Sequence, residues 1–433
     1  MGGEQSRANA RHVTSQTGEQ WHHERQLASF YTRMTGSSGN GKLPAVVQMA
    51  IWDRCRSEDD RMTFECLASC IDGVLECAVH ESAELMLRAA KADGAHDERD
   101  KLKQVLLRLF ERHSAVERDS LDRDIWRGDQ TGRPDALVDF LLQDLPDTPL
   151  HADSLARWLS RHTLVSAMLR RVFRSCFQIP ASAHEIRATP TAESVSHLLH
   201  LTDTFFIKHH LPHRFQNIES KIDTFQWRLL YSSETQGASF MSMQKRISGC
   251  GACVLVLRDT GGAVFGAFAS DGFISGPAFQ GDDTCFVFAV QPTVQLYHAT
   301  GYSEQYAYLN IGQQAMPNGI GIGGSFQPVH FFSLWLDDDL VHGKSQPNGM
   351  AFRNRQLSTS EQFTLEQLEV WGVDVQRAGQ SDKHKNRPEK PSVLDVDPEA
   401  KAMLAMTGKG PVSEGLRDTD PHASTPEEHS LNY

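Results

Sequence analysis

The run "FFSLWLDDDLVHGKS", residues 331–345, sets three consecutive carboxylates, Asp337, Asp338 and Asp339, close to an imidazole, His342. Carboxylate oxygens bind divalent cations, and a carboxylate with an imidazole can pass a proton in hydrolysis. On that reading Asp337, Asp339 and His342 would serve a hydrolytic or oxidative-stress-protective enzyme. Strand geometry weighs against it. Side chains alternate along a strand, so Asp337 and Asp339 are expected to project together while Asp338 points away. Residues two apart lie roughly 6.5 to 7 Å apart along the backbone. That spacing is too wide for two carboxylates sharing a proton, though not for a bridged cation. The preferred reading is a set of solvated strand-end acids that cap backbone donors or face a basic partner.

Other patterns that could carry chemistry fail on context. Cys250 and Cys253 form a CxxC pair, but no second CxxC or HxxxH completes a zinc set. They straddle Gly251 before an apolar run and read as turn and packing residues. Cys66, Cys70 and Cys77 recur at helical spacing and read as a buried helix face. Gly319, Gly321 and Gly324 spell G-x-G-x-x-G, yet Pro317-Asn318 precede them and no helix follows. A dinucleotide fingerprint needs a strand before it and a helix after it, so these glycines are expected in a surface loop. No G-x-S-x-G elbow is present. The stretch "WDRCRSEDDRMTFECL" resembles a helix-loop-helix, but it lacks the alternating Asp/Asn ligands and central glycine of a calcium loop. The sequence therefore predicts no catalytic residue, metal or cofactor.

The elements that would hold these residues change character midway. The chain has 433 residues and a formal net charge of −12. Such a surface repels phosphate backbones, which argues against nucleic acid as a partner. No apolar run approaches the roughly 18 residues of a membrane span, and the start has no secretory h-region. Eight cysteines are then expected in a reducing compartment, as free thiols. Residues 1–20 are polar and read as a flexible tail. Residues 21–215 read as a helical domain. Leu102, Val105, Leu106 and Leu109 share one helix face; Leu155, Trp158 and Leu159, then Met168, Leu169 and Val172, share others.

From about residue 222 to 374, short apolar runs alternate with Gly and Asp turns. "CVLVLRD", "AVFGAFAS", "TCFVFAV", "VQLYHAT", "QYAYLN" and "HFFSLWL" read as strands. Gly266, inside "FGAF", predicts a close backbone approach. Many short strands without long intervening helices predict an antiparallel sandwich, and an α+β chain overall. Residues 375–392 read as a linker and 393–433 as an extension with a short helix over 397–408. Asp397 suits its N-cap, Pro398 its first turn and Gly408 its C-terminal cap. So short a helix is not stable alone, so Met403 and Leu404 on its face are candidate docking residues.

The strand region resembles the TLDc domain family. "LLYSSETQGASF" resembles its opening strand and turn, through Ser232 or Ser233, Gly237, Ser239 and Phe240. "VLVLRDTGGAVFGAFAS", "GDDTCFVF", "IGIGGSF", "FFSLWLDDDLVHGKS" and "FTLEQLEVWGVD" follow in the family's order. The resemblance implies a β-sandwich with accessory helices and a non-enzymatic role. It also implies association with the cytosolic V1 sector of the V-ATPase. The flanking segments resemble a myristoylated subgroup with a degenerate EF-hand-like N-terminal region. That likeness implies links to lysosomal membranes and to proteins of mTOR signalling. In that setting "MGGEQS" places Gly2 for N-myristoylation, with Ser6 at the favoured position. One acyl chain holds a membrane only marginally, so the expected location is the cytoplasmic face of lysosomal or related endomembranes, with a cytosolic pool. Asp337, Asp339, Met403 and Leu404 are the candidate partner-binding residues.

Overall fold

The computed structural model describes residue 34 and residues 43–56, 62–76, 78–91, 97–120, 134–145, 148–179, 196–216, 227–314, 316–327 and 330–373. Gly2, Met403, Leu404 and the expected helix over 397–408 lie outside the described residues. The first half is helical: α1 (Ala45–Cys55), α2 (Phe64–Leu75), α3 (Val79–Lys91), α4 (Glu98–Ser120), α5 (Pro134–Leu141), α6 (Ala152–Arg161), α7 (Thr163–Phe177) and α8 (Leu201–His210). The helical faces read from the sequence are the faces that pack. Leu102, Leu106, Leu109, Leu155, Trp158 and Met168 are all fully buried. Thr63 starts α2 by accepting a hydrogen bond from the Cys66 N–H. Among the described residues no helix is long and apolar enough to cross a membrane.

The second half is an antiparallel, two-layer structure of eleven strands. They are β1 (Arg228–Ser232), β2 (Cys253–Asp259), β3 (Val264–Ala269), β4 (Gly276–Gln280), β5 (Phe286–Gln291), β6 (Gln295–His298), β7 (Ala307–Asn310), β8 (Gly319–Gln327), β9 (His330–Asp337), β10 (His342–Ser345) and β11 (Gln362–Gly372). β11 belongs to both layers. Its residues Gln362, Phe363 and Thr364 pair with β10, while the stretch from Leu365 to Gly372 pairs with β2. A register shift between Leu365 and Gln367 marks the bend. One layer is then β1-β11-β2-β3-β5-β6 and the other β4-β7-β8-β9-β10-β11. Their inner faces share a core of Leu255, Leu257, Phe265, Val287, Ile320 and Leu334, with Leu368 and Val370 from β11. A fold built on alternation of this kind is the α+β sandwich expected from the sequence.

The outer face of the first layer is also buried, against the helical half. Val254, Val256, Phe268, Phe286, Phe288 and Trp371 belong to the same continuous core as the helices. Phe215, just after α8, sets its ring 5.5 Å from that of Phe268. Arg214 beside it pairs with Asp282 at 3.1 Å. Two-sided burial explains why β2, β3 and β5 read as near-continuous apolar runs rather than alternating ones.

Gly266 lies in β3, opposite Val256 of β2. A Cβ there would lie 1.9 Å from the backbone oxygen of Leu255, the close approach the sequence predicted. The glycines of "GIGIGG" correct an expectation. They do not form a surface loop but lie in β8, paired with β7 and β9. Their missing side chains make room for aromatic rings on the outer face of the second layer. A Cβ at Gly321 would meet Phe332 at 2.5 Å, and one at Gly319 would meet Trp335 at 2.5 Å. Tyr308, Phe332 and Trp335, with Phe279 and Phe331 beside them, form a small separate cluster over those glycines.

Candidate functional site

The three aspartates lie where β9 turns into β10. The strand ends at Asp337, so alternation does not extend to Asp339, which lies in the turn that follows. Asp337 still follows strand geometry: it shares the outer face with Trp335 and accepts a hydrogen bond from the indole Nε1 at 2.6 Å. The chain then turns. The Leu340 N–H donates to the Asp337 carbonyl, and Leu340 takes a φ of 52°. Asp339 lies in this turn and accepts from the backbone N–H groups of Val341 at 2.7 Å and His342 at 2.9 Å. Its second oxygen meets His342 Nδ1 at 2.5 Å. Asp338 is exposed. Both outer carboxylates of the trio are therefore engaged locally. Asp337 orients Trp335, and Asp339 closes the β9–β10 turn.

Electrostatics follow from those contacts. Partial burial opposes the charged form of Asp339, but the hydrogen bonds from His342 and Val341 outweigh it and hold the carboxyl below its usual range. The hydrogen bond to Asp339 and the charge on Asp339 hold the His342 imidazole above its ordinary value. The linkage is favourable at low pH for the histidine: its contribution is complete below the unfolded value of about 6.5 and is lost as pH rises through the raised folded value. An NMR titration of His342 should give a midpoint above that of a free histidine, and Asp339→Asn should bring it back. A midpoint unchanged by Asp339→Asn would show that the pair does not form.

Two buried carboxylates of the sandwich were missed in the sequence. Asp259, at the end of β2, is fully buried. It accepts from the Ala263 N–H at 2.8 Å and from both the N–H and the hydroxyl of Thr359 at 2.8 Å. It thereby ties the β2–β3 turn to the loop before β11. Glu369, on β11, is only 1% exposed and faces the helical half. Its oxygens accept from the Ser196 hydroxyl at 2.6 Å, the His197 N–H at 2.7 Å and the Trp371 indole at 3.0 Å. Ser196 in turn accepts from the N–H groups of Leu198 and Leu199. Burial pushes the Glu369 carboxyl up, and the three donors only partly offset it. Glu369 is a latch that fixes the segment before α8 onto the sheet. A lone acid inside the apolar run "LEVWG" is the signal that could have pointed to it.

Cys250 and Cys253 behave as the sequence reading expected. Their thiols donate to the carbonyls of Arg246 and Gly251 around a turn in which Gly251 has a φ of 80°. Burial holds the Cys253 thiol well above its ordinary range. Among the described residues no group of three or more His, Cys, Asp or Glu side chains is arranged to hold a metal ion.

Residues 193–374 match the TLDc domain family. The matched span starts ahead of residue 222 and takes in α8 and the Ser196–Glu369 latch. The chain is 39% identical over 272 residues, 60% of its length, to a chicken (Gallus gallus) protein named mTOR-associated protein MEAK7, and covers 55% of that protein. It is 41% identical over 195 residues, 45% of its length, to the human (Homo sapiens) protein of the same name, covering 41% of it. It is also 31% identical over 183 residues, 42% of its length, to the cattle (Bos taurus) oxidation resistance protein 1, covering 19% of it. The matched stretches span about half the length of the mTOR-associated relatives, 55% of one and 41% of the other.

Proposed function

Residues 193–374 of this chain are a TLDc domain, and from that premise we propose that the protein is a non-enzymatic adaptor of the mTOR-associated class. Its sandwich docks on the cytosolic V1 sector of the V-ATPase at lysosomal or related membranes. The observation that carries the reading is the 39% identity to a protein named for mTOR association, over a stretch longer than the TLDc domain itself. The local contacts of Asp337 and Asp339 support it from another side. A carboxylate that orients an indole and one that closes a turn are committed to structure, so their presence no longer argues for catalysis.

Binding is multivalent. The sandwich, the segment carrying Met403 and Leu404, and an acyl chain on Gly2 each add a modest contact, and together they raise the effective concentration at the membrane. Affinity capture of the tagged chain from detergent-solubilised membranes tests it. Recovery of V1 subunits alongside the chain is the expected result; their absence from the capture would overturn the proposed partner. Exchanging both Met403 and Leu404 for Asp should lower that recovery several-fold while the circular dichroism of the sandwich is unchanged. Equal recovery would remove the segment around Met403 and Leu404 from the contact.

A further inference from the structure

The loop between β10 and β11 is held more firmly than a connection needs. Asn354 anchors it: its side chain is fully buried, and its Nδ2 donates to the carbonyls of Gln346 at 3.0 Å and Arg355 at 2.9 Å. The Asn348 N–H donates to the Asn354 carbonyl and the Arg353 N–H to the Gly349 carbonyl, each at 2.7 Å. Ala351 and Phe352 turn inward into the core between the layers, and the Phe352 ring lies 6.1 Å from that of Tyr306. These contacts hold two non-glycine residues in the left-handed region, Asn348 at a φ of 61° and Arg353 at 47°. Such backbone persists only where its surroundings over-determine it, and it gathers at functional sites and ligand clamps.

The loop between β6 and β7 completes a surface with it. The Thr300 N–H donates to the Ala351 carbonyl at 2.8 Å. The Thr300 hydroxyl donates to the Met350 carbonyl at 2.6 Å and accepts from the Tyr302 N–H at 3.3 Å. Tyr302 is 67% exposed and Met350 41%, two large apolar groups left in water. The Arg353 guanidinium lies over the Tyr302 ring, 4.8 Å from its centre. Arg355 is exposed two residues on, and Glu304 is exposed on the loop that carries Tyr302. Among the described residues neither arginine pairs with a carboxylate, Glu304 included. On a chain with 55 Asp and Glu against 43 Lys and Arg, the charge of these two is available to a partner.

We propose that Tyr302, Met350, Arg353 and Arg355 form a docking surface for an acidic segment of a protein partner. The inference rests on the adaptor reading and adds to it the face of the sandwich that meets the partner and the chemistry met there. Aromatic residues, Met and Arg are enriched at interfaces, and Tyr and Arg supply much of their binding energy. A guanidinium lying over a ring uses its face for that contact, which leaves its N–H edge for a carboxylate. The ring and the hydrogen-bonded loop already fix this guanidinium, so little side-chain freedom is lost on binding. The matching segment carries carboxylates that reach Arg353 and Arg355 and an apolar side chain that covers Tyr302 and Met350. A protein fits better than a phosphate surface. Two arginines on a chain of net charge −12 are few against the repulsion of a whole anionic surface, whereas a short acidic segment meets only the local charge.

Binding of the full-length chain to the isolated V1 sector, used as the probe, tests this. Exchanging Arg353 and Arg355 together for Glu should weaken binding by about tenfold or more, the loss expected of hot-spot arginines. Tyr302→Ala should do the same. Raising the salt concentration should weaken the wild type more than the double charge reversal. Arg353→Gly separates binding from folding: glycine takes a positive φ without strain, so this variant should melt no lower than the wild type and still bind more weakly. Arg157→Glu, at an exposed position on α6, should bind as the wild type does. Equal binding by the double charge reversal and by Tyr302→Ala would overturn the surface and leave the adaptor reading standing. No binding by the wild type would overturn both. A charge reversal that spares V1 but abolishes binding to vesicles of phosphatidylcholine and phosphatidylserine would assign the two arginines to a membrane, and would overturn the proposal as well.

Discussion

Glu369→Ala is expected to destabilise the chain by about 3 kcal/mol or more, because each buried donor left without an acceptor costs about 1–3 kcal/mol. Three donors lose their acceptor: the Ser196 hydroxyl, the His197 N–H and the Trp371 indole. All sit between the sheet and the segment leading into α8, where water does not reach the carboxylate. Chemical denaturation gives the stability change, and hydrogen exchange at residues 196–199 should locate it. A loss under about 0.5 kcal/mol, the range of an ordinary surface substitution, would show that the latch does not hold the segment. The carboxylate also sets a pH dependence. Burial raises its folded value above the unfolded one, so the native state holds the proton longer than the unfolded chain does. Stability should therefore fall as pH rises from the unfolded value of about 4.3 through the raised folded value, then level off. Glu369→Gln should lack that slope.

Gly266→Ala should be as damaging for a different reason. The added Cβ would lie 1.9 Å from the Leu255 backbone oxygen and 2.9 Å from the Phe288 ring. The ring can turn, but the oxygen belongs to β2, whose N–H and C=O groups are committed to β3 and β11. Overpacking of a core typically costs about 1–3 kcal/mol, and a clash with paired backbone should reach the top of that range. A drop in melting temperature with near-native partner capture at low temperature is the expected pattern. An unchanged melting temperature would mean that β2 and β3 are further apart than described.

The close approach at Gly266 was legible in the sequence because a glycine between Phe265 and Ala267 weakens an apolar strand unless another backbone needs the space. β2, β3 and β5 were legible for the same kind of reason: their apolar content is high on both faces. β8 was not, because its glycines lower strand propensity, and only the rings of Phe332 and Trp335 account for them. β4 and β10, "GPAFQ" and "HGKS", are short and carry no periodic signal. Alternation cannot see that the strand ends at Asp337, so the turn that Asp339 closes and the Trp335–Asp337 hydrogen bond had no signal in the sequence. Glu369 depends on Ser196, 173 residues away, and no local pattern encodes a partner at that distance.

The claim that this chain is an adaptor for the V-ATPase is most directly tested by binding between purified components. Full-length protein, immobilised on a biosensor, is titrated with the isolated V1 sector at physiological salt. Saturable binding is predicted, weakened several-fold by the exchange of Met403 and Leu404 for Asp. No binding by the intact, folded chain, acylated at Gly2 or not, would contradict it.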